Sequence, residues 1–225
     1  RITCTNDGVI LVGTTDGLVT FSDNFKDPRK IKFYKTTFIE NDSTSLEAND
    51  VNFMLEHSSG KIFICEFGGV FEQIKSTNLL QDNLKVSYMK NYSLNEGLVQ
   101  SMIEDNQGYI WVIRESSIDK FDAKTGQLAA FGPNDFDYNM SFTEARPYHD
   151  PATNHITVGT PMGALTFNPG TLKKSTYQPR IIFTTLHYNG EPEQHPILHS
   201  EKVVIPANKR NLTISFASLD YTRKY

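Results

Sequence analysis

Residues 101–122 read S-M-I-E-D-N-Q-G-Y-I-W-V-I-R-E-S-S-I-D-K-F-D. An apolar run ends in a polar turn at Asn106-Gln107-Gly108, and a second run carries Trp111. After Arg114-Glu115-Ser116-Ser117 a third run closes on Phe121. Short extended segments joined by tight turns predict consecutive antiparallel strands. The pattern occurs four times. Gly8 opens Val9-Ile10-Leu11-Val12, Gly60 opens Lys61-Ile62-Phe63-Ile64, Gly108 opens Tyr109-Ile110-Trp111-Val112, and Asn154 opens His155-Ile156-Thr157-Val158. The intervals between these turn residues are 52, 48 and 46. Register also holds downstream, where residues 13–21 align with 65–73, 113–121 and 159–167. A period of roughly 40–50 residues with several strands per unit signals propeller blades. One blade cannot bury both of its faces, so neighbouring blades must stack to make a core.

Composition agrees with an all-β chain. The 225 residues are 12% aromatic, with no long amphipathic helical period. No apolar run approaches the roughly 18 residues of a membrane span, and Arg1-Ile2-Thr3 reads as strand, with no signal peptide in view. A formal charge of −4 offers no basic stripe, so no nucleic-acid partner is expected. Cys4 and Cys65 are the two cysteines. Separate thiols are the favoured reading, with a bridge between them left open, because nothing in the sequence sets their separation.

The blade pattern occupies residues 1–168, with the first copy cut short. Outer strands are predicted over 30–34, 84–89 and 127–131, while the fourth copy lacks one. Residues 169–179 form a connector with proline near both ends, at Pro169 and Pro179. Beyond it, 180–187, 202–205 and 211–216 predict three strands, with 208–211 as the hairpin loop between the last two. They read as the truncated start of a β-sandwich over 180–225. Ile10, Leu11, Ile62, Phe63, Ile110, Trp111 and Ile156 are the expected core. The recurring aromatics, Trp111 and Phe63 among them, are assigned to packing between blades.

Catalytic chemistry finds no foothold in the pattern. Ser and Asp are scattered through turns, and the Glu191/Glu193 pair sits in a loop. His187, His195 and His199 near those carboxylates raise a zinc site, but Pro196 spoils a helical ligand pair, so no metal is expected. No cofactor is expected either, since quinone propellers repeat Trp and this chain has one. The turn residues Asn6, Ser58 and Asn106 are read as structural, their side chains bonding nearby amides. In a four-stranded meander the loop between strands two and three opens on the same side as the entry to strand one. That rule gathers Arg114, Glu115, Glu66, Glu96, Glu144, Arg146 and Thr14-Thr15-Asp16 on one rim. Arg114, Glu115, Glu66, Glu96 and Arg146 are the candidate ligand contacts, able to bind sugar hydroxyls, carboxylates or sulfates. A solvated rim facing another domain is the competing reading.

The E-D-x-x-G-x-I-W-V core at Glu104-Asp105, Gly108 and Ile110-Trp111-Val112 resembles the propeller repeats of periplasmic sensor regions in bacterial hybrid two-component regulators. Gly13-Thr14-Thr15-Asp16-Gly17-Leu18 matches that repeat's G-T-x-x-G-L, and Asn95-Glu96-Gly97-Leu98 its N-x-x-G-L lead-in. Residues 211–221 resemble the F-A-A-L-x-Y strand of the Y_Y_Y domain that follows the last blade in that family. Phe63, Asn154 and Thr157 depart from the repeat without altering its register. The resemblance implies a non-catalytic, periplasmic, carbohydrate-sensing module that binds an oligosaccharide. It further implies a membrane anchor, a histidine kinase and a DNA-binding regulator, all outside this chain, and it leaves room for a homodimer. The alternative is a propeller enzyme, a polysaccharide lyase or a glycosidase.

Overall fold

The structure, a computed structural model, describes residues 1–66, 71–88, 98–132, 135, 141–172, 180–190, 193–198 and 202–219. The chain forms two compact units, Arg1–Lys174 and Ser175–Tyr225. In the first, blade one is β1 (Ile2–Cys4), β2 (Val9–Thr14), β3 (Gly17–Ser22) and β4 (Tyr34–Thr36). Blade two is β5 (Val51–Glu56), β6 (Ile62–Glu66), β7 (Phe71–Ile74) and β8 (Val86–Tyr88). Blade three is β9 (Val99–Glu104), β10 (Tyr109–Arg114), β11 (Ile118–Asp122) and β12 (Leu128–Phe131). Blade four has three strands, β13 (Tyr148–Asp150), β14 (His155–Thr160) and β15 (Gly163–Phe167). Every blade is an antiparallel meander with its strands in chain order.

The turn that defines the repeat needs a left-handed residue. Gly8, Gly60 and Gly108 have φ of 75°, 78° and 79°, and Asn154 takes the same role at 52°. Glycine meets no Cβ clash there, and Asn is among the side chains best tolerated. This is why Asn154 preserves the period.

Strand two of a blade lies between two neighbours, and its alternation shows it. Ile62 and Ile64 of β6 pack in one cluster with Leu11, Leu18, Val51 and Met54. Phe63 and Cys65, pointing the other way, join Val99, Met102, Ile110, Val112 and Phe121. Trp111 and Ile113 then join Phe131, Phe142, Ile156 and Val158. Successive side chains of a strand point to opposite faces, so a strand covered on both must be apolar throughout. The core is therefore three inter-blade seams, each large side chain contributing roughly 1.5–3 kcal/mol on burial. Of the expected core residues, Ile10 is half-buried and the rest are buried. Close approach also selects Gly13, since a Cβ there would lie 2.5 Å from the Val51 carbonyl oxygen.

The outer strand of blade one is displaced from its expected place at 30–34. Pro28–Lys30 forms a 3-10 turn capped by Asp27, whose carboxylate accepts from Arg29 N, and the chain pairs only from Tyr34. Pro28 fits the first helical position, so the turn takes in Lys30, and residues 31–33 pass unpaired before β4. In the second unit the sheet order is β17-β16-β18, with β16 at Arg180–Tyr188, β17 at Gln194–Pro196 and β18 at Leu212–Leu219. Residues 202–205 form no strand; β17 takes that place, pairing with Thr185, Leu186 and His187. Pro196 is tolerated because β17 is an edge. Leu186 and Tyr188 are buried, whereas Phe183 and Phe216 are exposed.

Candidate functional site

The first strands of the blades border one opening. At its mouth is a cleft of about 550 Å³ lined by Arg1, Thr14, Thr15, Asp50, Asn52 and Glu144, among others. Alongside runs a cavity of about 690 Å³ whose walls include Phe53, Glu56, Arg146, Tyr148 and His149. Arg1 lines both; its guanidinium donates to the Glu144 carbonyl and stands 5.1 Å from the Phe53 ring centre. Thr14 is held by its own turn, its hydroxyl donating to Gly17 O at 2.8 Å and accepting from Asp16 N at 3.1 Å. Asp16 itself pairs with Lys35 at 2.5 Å.

The structure divides the candidate contacts. Arg146 is exposed and lines the cavity, and Thr14, Thr15 and Glu144 reach the mouth. Glu115 is exposed, and its carbonyl accepts from Phe142 N at 2.8 Å. Arg114 and Glu66, by contrast, are 1% and 0% exposed. Each ends a second strand that is covered on both faces, so the seam takes its charge in. Arg114 Nε donates to the buried Asp119 carboxylate at 2.7 Å, and Glu66 accepts from Ala48 N at 2.5 Å. A charge in such a place requires a partner of this kind. Glu96 lies outside the described residues.

Turn chemistry also differs from expectation, and here the sequence held an unread signal. The residue three before the turn Gly does the bonding, not the one two before. Asp105 Oδ1 accepts from Gln107 N at 2.8 Å and Tyr109 N at 3.0 Å, while Oδ2 accepts from Trp111 Nε1 at 2.8 Å. The D-x-x-G-x-x-W spacing within residues 105–111 is therefore one hydrogen-bonded unit. Asn6 and Ser58 offer their backbone N–H instead, to a carboxylate of the next blade. Asn6 N donates to Glu56 Oε2 and Ser58 N to Glu104 Oε2, both at 2.8 Å. At the third seam Asn106 N meets Asn154 Oδ1 at 3.4 Å. His57 reinforces the middle seam. Its Nδ1 accepts from Ser59 N at 3.0 Å, so Nε2 carries the proton it shares with Gly108 O at 2.9 Å.

Cys4 and Cys65 are not bridged to each other; the first is exposed and the second buried, its Sγ 3.5 Å from Met102 Sδ. Among the described residues no group of three or more His, Cys, Asp or Glu is placed to hold a metal, and no helix is long and apolar enough to cross a membrane. His199 and Glu191 lie outside the described residues.

No family model and no curated protein matches the chain. Among solved structures, the extracellular domain of the B. thetaiotaomicron hybrid two component system BT3049 superimposes with a TM-score of 0.52 at 16% identity. The match covers 98% of this chain and 35% of that one. PorZ, a surface component of the type-IX secretion system of Porphyromonas gingivalis, gives 0.58 at 10% identity, covering 97% of this chain and 38% of that one. At these identities the likeness is one of fold, and the chain spans little more than a third of either protein.

Proposed function

We propose that this chain is part of the periplasmic, ligand-sensing region of a hybrid two-component system. Its anchor and its kinase belong to segments outside the chain. The ligand is an oligosaccharide, a product of polysaccharide breakdown. One observation carries the reading: most large apolar side chains are spent on the seams between blades, while the inner strands and their entry loops border an open cleft where Arg1, Thr14, Thr15, Asp50, Asn52, Gln100 and Glu144 stand beside Val51, Leu98 and Val99. Polyhydroxylated ligands need such a set of donors and acceptors fixed on a rigid scaffold. The fold likeness to a sensor's extracellular domain along nearly the whole chain supports it.

The second unit is the proposed output. Pro169 and Pro179 restrict the connector, and ligand would bias two arrangements of the units for which it has different affinity. Calorimetric titration of the complete extracytoplasmic region with a panel of neutral and acidic oligosaccharides tests the sensing. Saturable binding is expected, together with a changed spin-label distance across the connector. Heat-silent titration with every saccharide would remove the reading. The PorZ likeness favours a second one, a surface component with no kinase. Sequencing the coding region downstream separates them, because only the sensor continues into a membrane span and a histidine kinase.

A further inference from the structure

We propose that His57 is a proton-sensitive joint in the seam between blades two and three. On taking up a proton the imidazole releases the turn amide that it closes and pairs with Glu104 across the seam. The joint is enclosed, with blade one behind blade two and blade four behind blade three.

Position sets the task of this side chain. Three residues before the turn glycine stand Thr5, His57 and Asp105. Each supplies an acceptor to its own turn. Thr5 Oγ1 accepts from Val9 N at 3.0 Å, Asp105 Oδ1 from Gln107 N at 2.8 Å, and His57 Nδ1 from Ser59 N at 3.0 Å. In blades two and three the donor is thus the amide two residues on. A hydroxyl accepts at any pH, and a carboxylate at any pH above its acid range. An imidazole nitrogen accepts only while it carries no proton. Imidazole is also the side chain whose charge ordinarily changes between about pH 5 and 8.

The surroundings are built for both states of the ring. His57 is 2% exposed, so a charge there needs partners already in place. Ser59 Oγ lies 2.7 Å from Nδ1 and can turn from donor to acceptor. On the other side, Nε2 is 2.9 Å from Gly108 O and 3.3 Å from Glu104 Oε1. Glu104, on β9, is the carboxylate that faces the ring, and its Oε2 accepts from Ser58 N at 2.8 Å. The other charged groups on these elements are engaged elsewhere. Asp105 closes its own turn and holds Trp111 Nε1, Glu56 accepts from Asn6 N, and Lys61 donates to Ala123 O. From β6 comes only the Phe63 ring, edge-on at 6.2 Å. Proton uptake therefore exchanges a bond within blade two, Ser59 N to Nδ1, for a charge pair between blades two and three. Ser59 is exposed, so its released N–H turns to water.

The test uses the complete extracytoplasmic region, with its histidine rings labelled for nitrogen NMR, between about pH 8 and 5. Hydrogen exchange at the Ser59 amide is followed over the same range. At the upper end Nδ1 should be bare and Nε2 protonated; at the lower end both should carry a proton. The protection factor of Ser59 should then fall about fivefold, the equivalent of one amide hydrogen bond. His57→Asn, whose Oδ1 accepts at every pH as Asp105 does, should hold that protection constant. Glu104→Gln keeps an acceptor for Ser58 N but removes the counter-charge, so its folded state resists the proton. Stability in that variant is full at the upper end and lost as pH falls. A His57 ring that stays uncharged throughout would overturn the joint. So would a ring that charges while Ser59 keeps its protection. A Glu104→Gln stability profile identical to the parent's would overturn the pairing across the seam.

Discussion

Trp111 and Thr157 occupy the same place in blades three and four, three residues past the turn, and the structure treats them oppositely. Trp111 is fully buried, stacked on Phe131 at 5.8 Å and edge-on to Phe167 at 5.4 Å. Thr157 is half-buried and shares a hydrogen bond with Thr166 Oγ1 at 2.9 Å. Blade three has a neighbour on each side, so both faces of β10 are apolar. Blade four packs Ile156 and Val158 against blade three and turns Thr157 the other way. Their turns diverge too. Asp105 and Glu104 divide the labour, one closing the turn and one reaching back to blade two. Asp150, a methylene shorter than Glu104, closes its own turn through Ala152 N and Thr153 Oγ1, and Asn154 reaches back instead. The repeat thus keeps its turn and its second strand, slips by one residue where Ile62 pairs with Ile74 and Thr157 with Tyr148, and varies its chemistry according to what covers each face.

Truncation at the matched positions should break this comparison first if it is wrong. Trp111→Ala should cost about 3–5 kcal/mol in chemical denaturation, as other large core truncations do. Thr157→Ala should stay within about 0.5 kcal/mol. Equal losses would mean that blade four is as enclosed as blade three.

Asp105→Ala comes next. It leaves two turn amides and the Trp111 indole N–H without their acceptor in a buried place, which should cost about 2–3 kcal/mol. Trp111 fluorescence should shift with it, since Nε1 loses its carboxylate. A stable variant with unchanged emission would show that the turn holds without Asp105.

Seam clamps are smaller. Glu104→Ala removes the acceptor of Ser58 N and the carboxylate 3.3 Å from His57 Nε2, a loss of about 1 kcal/mol. Asn154→Gly should fall within about 0.5 kcal/mol of the parent. It gives up a long 3.4 Å bond from Asn106 N and a 3.0 Å contact with His149 Nε2, offset by relief of a positive φ. If Asn154→Gly costs more than Glu104→Ala, the third seam is the tighter one.

The smallest effect is an acid titration. Hydrogen bonds from the Thr153 hydroxyl and then Ala152 N hold the Asp150 carboxyl below the usual carboxylate range. A group depressed in the folded state stabilises above its unfolded value of roughly 3.9. That contribution disappears as pH falls through the lower folded value. An NMR titration should place the Asp150 midpoint below that reference, and Asp150→Asn should flatten this part of the stability profile. A midpoint at the ordinary value would say that the turn of blade four is open in solution.

The four-fold period, the turn residues and the second strands were legible in the chain, because each is a local demand. A left-handed turn selects Gly or Asn, and a strand covered on both faces must be apolar without a break. Arg146 and the Thr14-Thr15 turn were legible as rim residues for the same reason, since loop order in a meander is a matter of connectivity. Which charged residues go inside depends on how the blades pack. Arg114 and Glu66 stand at strand ends that look like rim in one dimension, and the closing of a neighbouring blade buries them. Asp105 and Glu104 are adjacent in sequence but serve different blades, because alternation along β9 and the turn beyond it send their side chains apart.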